Sequence, residues 1–346
     1  MGDREVVSLE YLGSSLMKNV VFAVISSLLF SVPAVADTPA LLRFDQQSIA
    51  ESQLSPWVQQ SLYEIRREAW ESERALLEQG ALELHVQKQA KAQGKTSDEI
   101  RSALLTIKPV SDGEIQAFYE NYRDHIQAPL NEVRDAIREQ LESVREQQQM
   151  AAVMDKLRQE SGLKVLVPEP KAPVFDLPLE GYPVKGKPDA PFTLVEFADY
   201  RCPYCKKGAE MVNRLMEAFP DSLKVYYVDF PVVDPASGIS TTVMRGAWCA
   251  GQQDKYWDYH KLAYAQQGSL SKKTPETFAA KLGLNTRVFE ACMASKESAG
   301  SVEKATVFGR QYGVSSTPTF FPNGKRLSGA DIENQIRGQL SQPKSS

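Results

Sequence analysis

Apolar positions recur at helical spacing through most of the first half of the chain. Beyond Asn131, Val133, Ile137, Leu141, Val144, Val153 and Leu157 fall roughly on one helical face, and the positions between them are rich in Arg, Glu and Gln. The whole stretch from about Leu54 to Glu160 reads as helix with almost no strand signal. Two Ser/Thr-x-x-Glu sequences, Thr96 to Glu99 and Ser111 to Glu114, read as capping boxes that punctuate it, and Gly94 suits a left-handed helix end. Charged blocks such as Arg66, Arg67 and Glu68, or Glu71 and Arg74, are most simply solvated faces. No catalytic constellation is visible in this region.

The texture then changes. Leu163 to Val167 predicts a short strand, which Pro168, Pro170 and Pro173 convert into an extended linker over residues 166–180. Turn residues from Gly181 to Pro191 predict a loop. Phe192 to Phe197 predicts a strand, Lys206 to Phe219 a helix and Leu223 to Phe230 a second strand. That order is a β-α-β unit, whose right-handed crossover makes its strands parallel. Residues from about 235 to 310 return to helix, with Thr274 as N-cap and Pro275 at the first helical position. Strand signal resumes at Thr317 to Pro322, followed by a turn at Gly324, Arg326 and Leu327, and a last helix from about Ala330 to Leu340.

Length and charge narrow the field. The chain has 346 residues, room for two domains, and a net charge of −4. So mild a balance argues against a nucleic-acid or anionic-membrane partner. Near the N-terminus, Met17 and Lys18 begin a short basic start, Val20 to Val32 is an apolar run, and Ala34, Val35 and Ala36 form an A-x-A site. These features predict a Sec-type signal peptide over residues 1–36, with an uncleaved anchor as the alternative. Asp3, Glu5 and Glu10 have the wrong sign for a signal, so residues 1–16 read as an upstream start. Export would place the mature chain, from Asp37 on, outside the cytoplasm. All four cysteines lie in the exported part, consistent with two disulfides in an oxidising compartment.

The chemistry concentrates at Cys202 and Cys205, separated by Pro203 and Tyr204. The predicted strand runs straight into this turn and the predicted helix leaves it. Cys202 therefore falls at a helix N-terminus, where unpaired N–H groups and the macrodipole favour an anion. Cys205 sits one turn into the helix, close enough to close a small disulfide ring, so the pair can pass two electrons by thiol–disulfide exchange. Half a zinc site and a purely structural disulfide are the other readings. No second close cysteine pair and no ligand spacing among His85, His125 and His260 support a metal.

From about Gly181 to the C-terminus the chain resembles the DsbA/DsbG-type thioredoxin-fold disulfide oxidoreductases of the bacterial periplasm. The residues that carry the likeness are the run from Glu196 to Cys205, the block around Trp248, Tyr256, Trp257, Tyr259 and His260, and the run from Ser316 to Phe320. The resemblance implies an α/β thioredoxin-like domain over residues 181–346, its sheet interrupted by a helical subdomain at about 235–310. It implies Cys202 as the exposed nucleophile and Cys205 as the buried resolving thiol. Pro318 would be a cis-proline beside them, with Thr317 presenting backbone to an extended substrate and Pro203 and Tyr204 also facing it. Glu196 would help move protons to and from Cys205; an exposed strand-edge carboxylate is its other reading.

Cys249 and Cys292 would staple the insertion as a structural disulfide, as in some relatives, with two free buried thiols as the alternative. Trp248, Tyr256 and Trp257 read as insertion core, with a substrate groove as the alternative. Tyr204, where the strongest oxidants carry histidine, and Thr317 before the proline lean toward isomerase or reductase exchange rather than pure oxidation. No cofactor or metal is implied. The partners implied are unfolded or misoxidised exported proteins and a membrane redox protein that resets the dithiol.

Residues 37–165 resemble, through their amphipathic helices, Ala90 to Glu99 and Val110 to Tyr119, the helical N-terminal domain of SurA-like periplasmic chaperones and parvulin-type foldases. This implies an all-α domain for substrate binding or for homodimer formation; no prolyl isomerase domain follows it. The competing reading of the whole chain is a chaperone-like or scaffold protein with an auxiliary redox module.

Overall fold

The computed structural model describes residues 40–341 except 328 and 330. The predicted signal peptide lies outside the described residues. Strands β1 (Ala40–Phe44) and β2 (Gln47–Ala50) pair antiparallel as a hairpin, inside a stretch expected to be helical. Asp45 and Gln46 turn it with φ of 46° and 64°, a left-handed pair that Asp tolerates well. Among the described residues, 40–50 belong to one compact unit and those from Glu51 onward to another.

The second unit starts with four helices: α1 (Pro56–Gln93), α2 (Ser97–Leu105), α3 (Asp112–Tyr122) and α4 (Leu130–Ser161). Their ends follow the punctuation in the sequence. Pro56 opens α1 and Gly94 closes it at φ 64°. Thr96 and Ser111 each accept from a Glu N–H three residues on, and each cap N–H donates in return to that Glu carboxylate. Leu82, Val86 and Ala90 of α1 pack with Ile100 of α2 and Val153, Met154 and Leu157 of α4. A second small core joins Val110, Ile115 and Ile137. Of the expected α4 stripe, Ile137, Val153 and Leu157 are buried, whereas Val144 stays exposed.

The strand expected at Leu163 to Val167 does not form. Gly162 ends α4 at φ 66°, Leu166 is left facing solvent, and the prolines that follow cannot donate to a ladder. The linker instead ties the halves together: the Trp70 indole N–H donates to the Val167 carbonyl and the Phe175 N–H to that of Gly324.

The C-terminal half follows as β3 (Val184–Gly186), β4 (Phe192–Ala198), α5 (Pro203–Ala218), β5 (Leu223–Asp229), α6 (Ile239–Gly251), α7 (Tyr256–Ala265), α8 (Thr274–Lys281), α9 (Thr286–Met293), α10 (Lys296–Gln311), β6 (Thr319–Pro322) and α11 (Ile332–Leu340). The sheet order is β3-β5-β4-β6, with β4 and β5 parallel across α5 and the outer strands antiparallel to their neighbours. Leu194 and Phe320 pack under Met211 and Leu215 of α5 and Ile336 of α11. On the other face Val195, Phe197 and Phe321 meet Ala305 and Phe308 of α10. The helices between β5 and β6 form the insertion, whose core includes Met244, Tyr259, Phe278 and Phe289.

Local differences have local causes. Strand β3 falls where turn residues predicted a loop; it pairs through its backbone with β5, and all its residues are exposed. Thr274 is the first residue of α8 rather than its cap, because its hydroxyl is used to accept from the Ser271 N–H. Strand β6 starts at Thr319, after a cis peptide between Thr317 and Pro318. Among the described residues no helix is long and apolar enough to cross a membrane.

Candidate functional site

Strand β4 carries its chemistry into the interior: Glu196 is 2 % exposed, and Asp199 and Tyr200 just beyond it are fully buried. Asp199 fixes the bend into α5. Its carboxylate accepts N–H groups of Arg201, Val232 and Val233 at 2.9 Å and the Ser240 hydroxyl at 2.7 Å. Its own carbonyl accepts the Cys202 N–H at 3.0 Å. From α7's end, Gln267 Nε2 donates to the carbonyls of Tyr200 and Cys202 at 2.8 and 2.9 Å. Cys202 is thereby held as the N-cap of α5, with Pro203 at the first helical position.

Both cysteines of the pair are free thiols. Cys202 Sγ donates to the Thr317 carbonyl at 3.3 Å, and Cys205 Sγ accepts the Asp199 N–H at 3.5 Å. The nucleophile expected to be exposed is 6 % exposed, while Cys205 is fully enclosed. The Thr317 carbonyl, one residue before cis-Pro318, is the hydrogen-bond partner of the first sulfur. Burial pushes the Cys205 thiol well above the ordinary thiol range. Pro203 and Tyr204 face solvent, with the Lys207 ammonium 5.7 Å from the Tyr204 ring.

Glu196 sits directly across from Tyr227 of β5 and Phe320 of β6. Burial pushes its carboxyl up to about 8, and its Oε1 is sealed from solvent without a protein partner. Gly208, one turn beyond Cys205, lets α5 approach it. A Cβ there would lie 3.1 Å from Glu196 Oε1, 3.2 Å from the Phe320 ring and 3.7 Å from Pro318 Cβ. The structure thus gathers Cys202, Cys205, Glu196, Thr317 and Pro318 around the start of α5. A cleft of about 550 Å³ between α5 and α7 reaches Glu196, with His260 and Tyr264 on its far wall. Tyr200, Tyr227, Tyr256, Trp257 and Tyr264 surround His260, and burial pushes its imidazole down to about 3.

Cys249 of α6 and Cys292 of α9 are joined in a disulfide, Cα atoms 5.8 Å apart. Tyr256 is buried in the insertion core, and Trp248 and Trp257 pack at its edge. Among the described residues no cluster of His, Cys, Asp or Glu could hold a metal ion. Sequence reasoning missed Asp199, Gln267, Gly208 and the His260 shell. An acidic residue just past the end of a largely apolar strand was the one available signal, at Asp199; Gln267 gave none.

Residues 179–342 match the family described as Thioredoxin. Disulfide bond formation protein D of Bacillus subtilis is 28 % identical over 189 residues, covering 46 % of this chain and 80 % of that protein. Na(+)/H(+) antiporter NhaA 3 of Salinispora tropica is 31 % identical over 146 residues, 42 % of this chain. The match spans only 22 % of the antiporter's length. The crystal structure of oxidised BdbD from Bacillus subtilis superposes at a TM-score of 0.44 and 23 % identity, covering 49 % of this chain and 96 % of that one.

Proposed function

We propose that the C-terminal half, which matches the Thioredoxin family, is a DsbA-like thiol:disulfide oxidoreductase module and that the chain exchanges disulfides with exported proteins in the periplasm. The observation that carries the reading is the placement of a free thiol, Cys202, at the head of α5, 3.3 Å from the Thr317 carbonyl, with a second free thiol one turn behind it.

In the reducing direction the Cys202 sulfur attacks one sulfur of a substrate disulfide. A mixed disulfide forms, and the second substrate sulfur leaves and takes up a proton. Cys205 then attacks Cys202 Sγ, the Cys202–Cys205 disulfide closes, and the first substrate thiol is released. Two electrons pass from the dithiol to the substrate, and the same steps run backwards in oxidation. Burial makes the Cys205 proton hard to lose, so the resolving step needs a base. Glu196, with a carboxyl near 8 and one oxygen without a partner beside Gly208 of α5, has the proton affinity for that exchange near neutral pH. The backbone of Thr317 beside cis-Pro318 would pair with an extended segment of the substrate, and Pro203 and Tyr204 would form the exposed rim.

Tyr204 puts no positive charge between the cysteines, and this favours isomerase or reductase exchange over pure oxidation. A membrane redox partner would reset the dithiol. The helical domain would hold unfolded substrate or pair two copies. A groove of about 320 Å³ on α1, α2 and α4, lined in part by Leu82, Leu105, Met150 and Met154, supports the first role. The same groove favours the competing reading of a chaperone with an auxiliary redox module. Insulin reduction and refolding of scrambled ribonuclease separate the two. Cys202→Ala should abolish both activities; undiminished activity in the variant would refute the enzyme reading.

A further inference from the structure

The loop that presents Thr317 and Pro318 is closed at its base by a contact from the other half of the molecule. It leaves α10 at Gly313, touches Cys202 Sγ through the Thr317 carbonyl, runs through β6 and returns at Arg326. There Arg326 Nη1 donates to the Gly313 carbonyl at 3.0 Å, across 13 positions of chain. The same nitrogen donates to Glu64 Oε1 of α1 at 3.1 Å. Gln60, one turn earlier in α1 and 2 % exposed, donates its Nε2 to that carboxylate oxygen at 3.0 Å. Gly313 has φ +76°, and a Cβ there would meet both Gln60 and Arg326 at 3.7 Å. The Arg326 side chain is only 14 % exposed, so its guanidinium needs a counter-charge to remain at the carbonyl. Glu64 supplies it.

We propose that α1 braces the substrate-facing loop, and that Glu64 is a positioning residue for disulfide exchange: through Arg326 and Gly313 it holds the Thr317 carbonyl in place beside Cys202. This rests on the exchange reading above. Neither Glu64 nor Arg326 touches the sulfurs. A loop pinned at its base has fewer conformations to surrender when a peptide pairs with its apex, so the brace acts on substrate affinity. The first helix of the N-terminal half is then a working part of the C-terminal site. Its remaining turns, from Leu82 to Ala90, still build the helical domain's own core.

The test uses the full-length protein and compares Glu64→Ala, Arg326→Ala, their double variant and the conservative Glu64→Gln. Amide hydrogen exchange over residues 313–320 is followed by mass spectrometry. Steady-state reduction is measured with a disulfide-bonded peptide and with the small disulfide DTNB. Each alanine change should speed loop exchange and raise KM for the peptide about fivefold, with kcat and DTNB turnover within about twofold; the double variant should be no worse than either single. Glu64→Gln should shift both readouts in the same direction and is read alone if an alanine variant does not fold. Unchanged loop exchange and peptide KM would overturn the brace, even with a lowered Tm; so would additive effects in the double variant. A wild type that reduces neither disulfide would refute the exchange reading instead. The amide exchange of residues 313–320 would then decide on the brace alone.

Discussion

Two glutamates show how differently the halves of this molecule handle charge. Glu114, at the head of α3, accepts the Ser111 N–H and hydroxyl and pairs with Arg145, and these bonds pull its carboxyl down to about 2. Glu196, in β4, is sealed under α5 with one oxygen unpartnered, and burial pushes it up to about 8. The helical half repeats the first pattern, as in Arg134 with Asp112 and Arg158 with Glu78, charges paired at the surface. The C-terminal half repeats the second: burial raises the Cys205 thiol and lowers the imidazole of the half-buried His260. Surface pairs add little stability and little chemistry. Enclosed groups with displaced proton affinities lower stability and make proton and electron transfer possible near neutral pH.

If the chemistry belongs to one half, removing its sulfur should separate the two most sharply. Cys202→Ala should lower insulin reduction at least about 100-fold while leaving the helical signal and its melting unchanged. A smaller loss would return some of the activity to the helical half. Next in size is the staple of the insertion. Cys249→Ala with Cys292→Ala opens a bridge between residues 43 apart, and the chain-entropy argument sets the loss at up to about 4 kcal/mol. Calorimetry should register it in the C-terminal half alone, with α1–α4 unfolding as before.

The third prediction sharpens the contrast between the glutamates. Glu196 keeps in the native state a proton that the unfolded chain releases above about 4.5, so stability falls as pH rises from there to about 8. Glu196→Gln should flatten that fall and stabilise the protein at pH 8.5 by on the order of 2–4 kcal/mol. Urea titrations are best run above pH 6.5, because His260, depressed to about 3, contributes an opposite slope below that value. The same variant should slow the resolving step about tenfold, seen as accumulated mixed disulfide in a quenched-flow experiment. A pH profile like that of wild type would remove the distinction between the two carboxylates. Smallest is Ser111→Ala, which costs the α3 cap about 1 kcal/mol and should speed amide exchange in α3 while leaving insulin reduction untouched.

What could be read from the sequence follows the same division. The helix boundaries at Gly94, Thr96 and Ser111 are local hydrogen-bonding devices, and the sequence carries them in full. The β-α-β unit and the cysteine turn were equally plain, since strand alternation, a helix and its first-turn proline lie in one short run. Hidden were features made by distant partners. Asp199 becomes a hub only when residues 232, 233 and 240 arrive, and Gln267 reaches back to Tyr200 and Cys202 from another helix. Strand β3 exists because β5 offers an open edge, and the carbonyl that Cys202 meets belongs to Thr317, 115 positions along the chain.

The most direct test traps the intermediate. Cys205→Ser removes the resolving thiol, so on incubation with an unfolded disulfide-bonded protein the reaction should halt as a covalent complex. Peptide mapping should find the substrate cysteine joined to Cys202 in most of the adduct, and the adduct should dissolve on adding dithiothreitol. No complex, or one formed equally well in Cys202→Ala, would contradict the account.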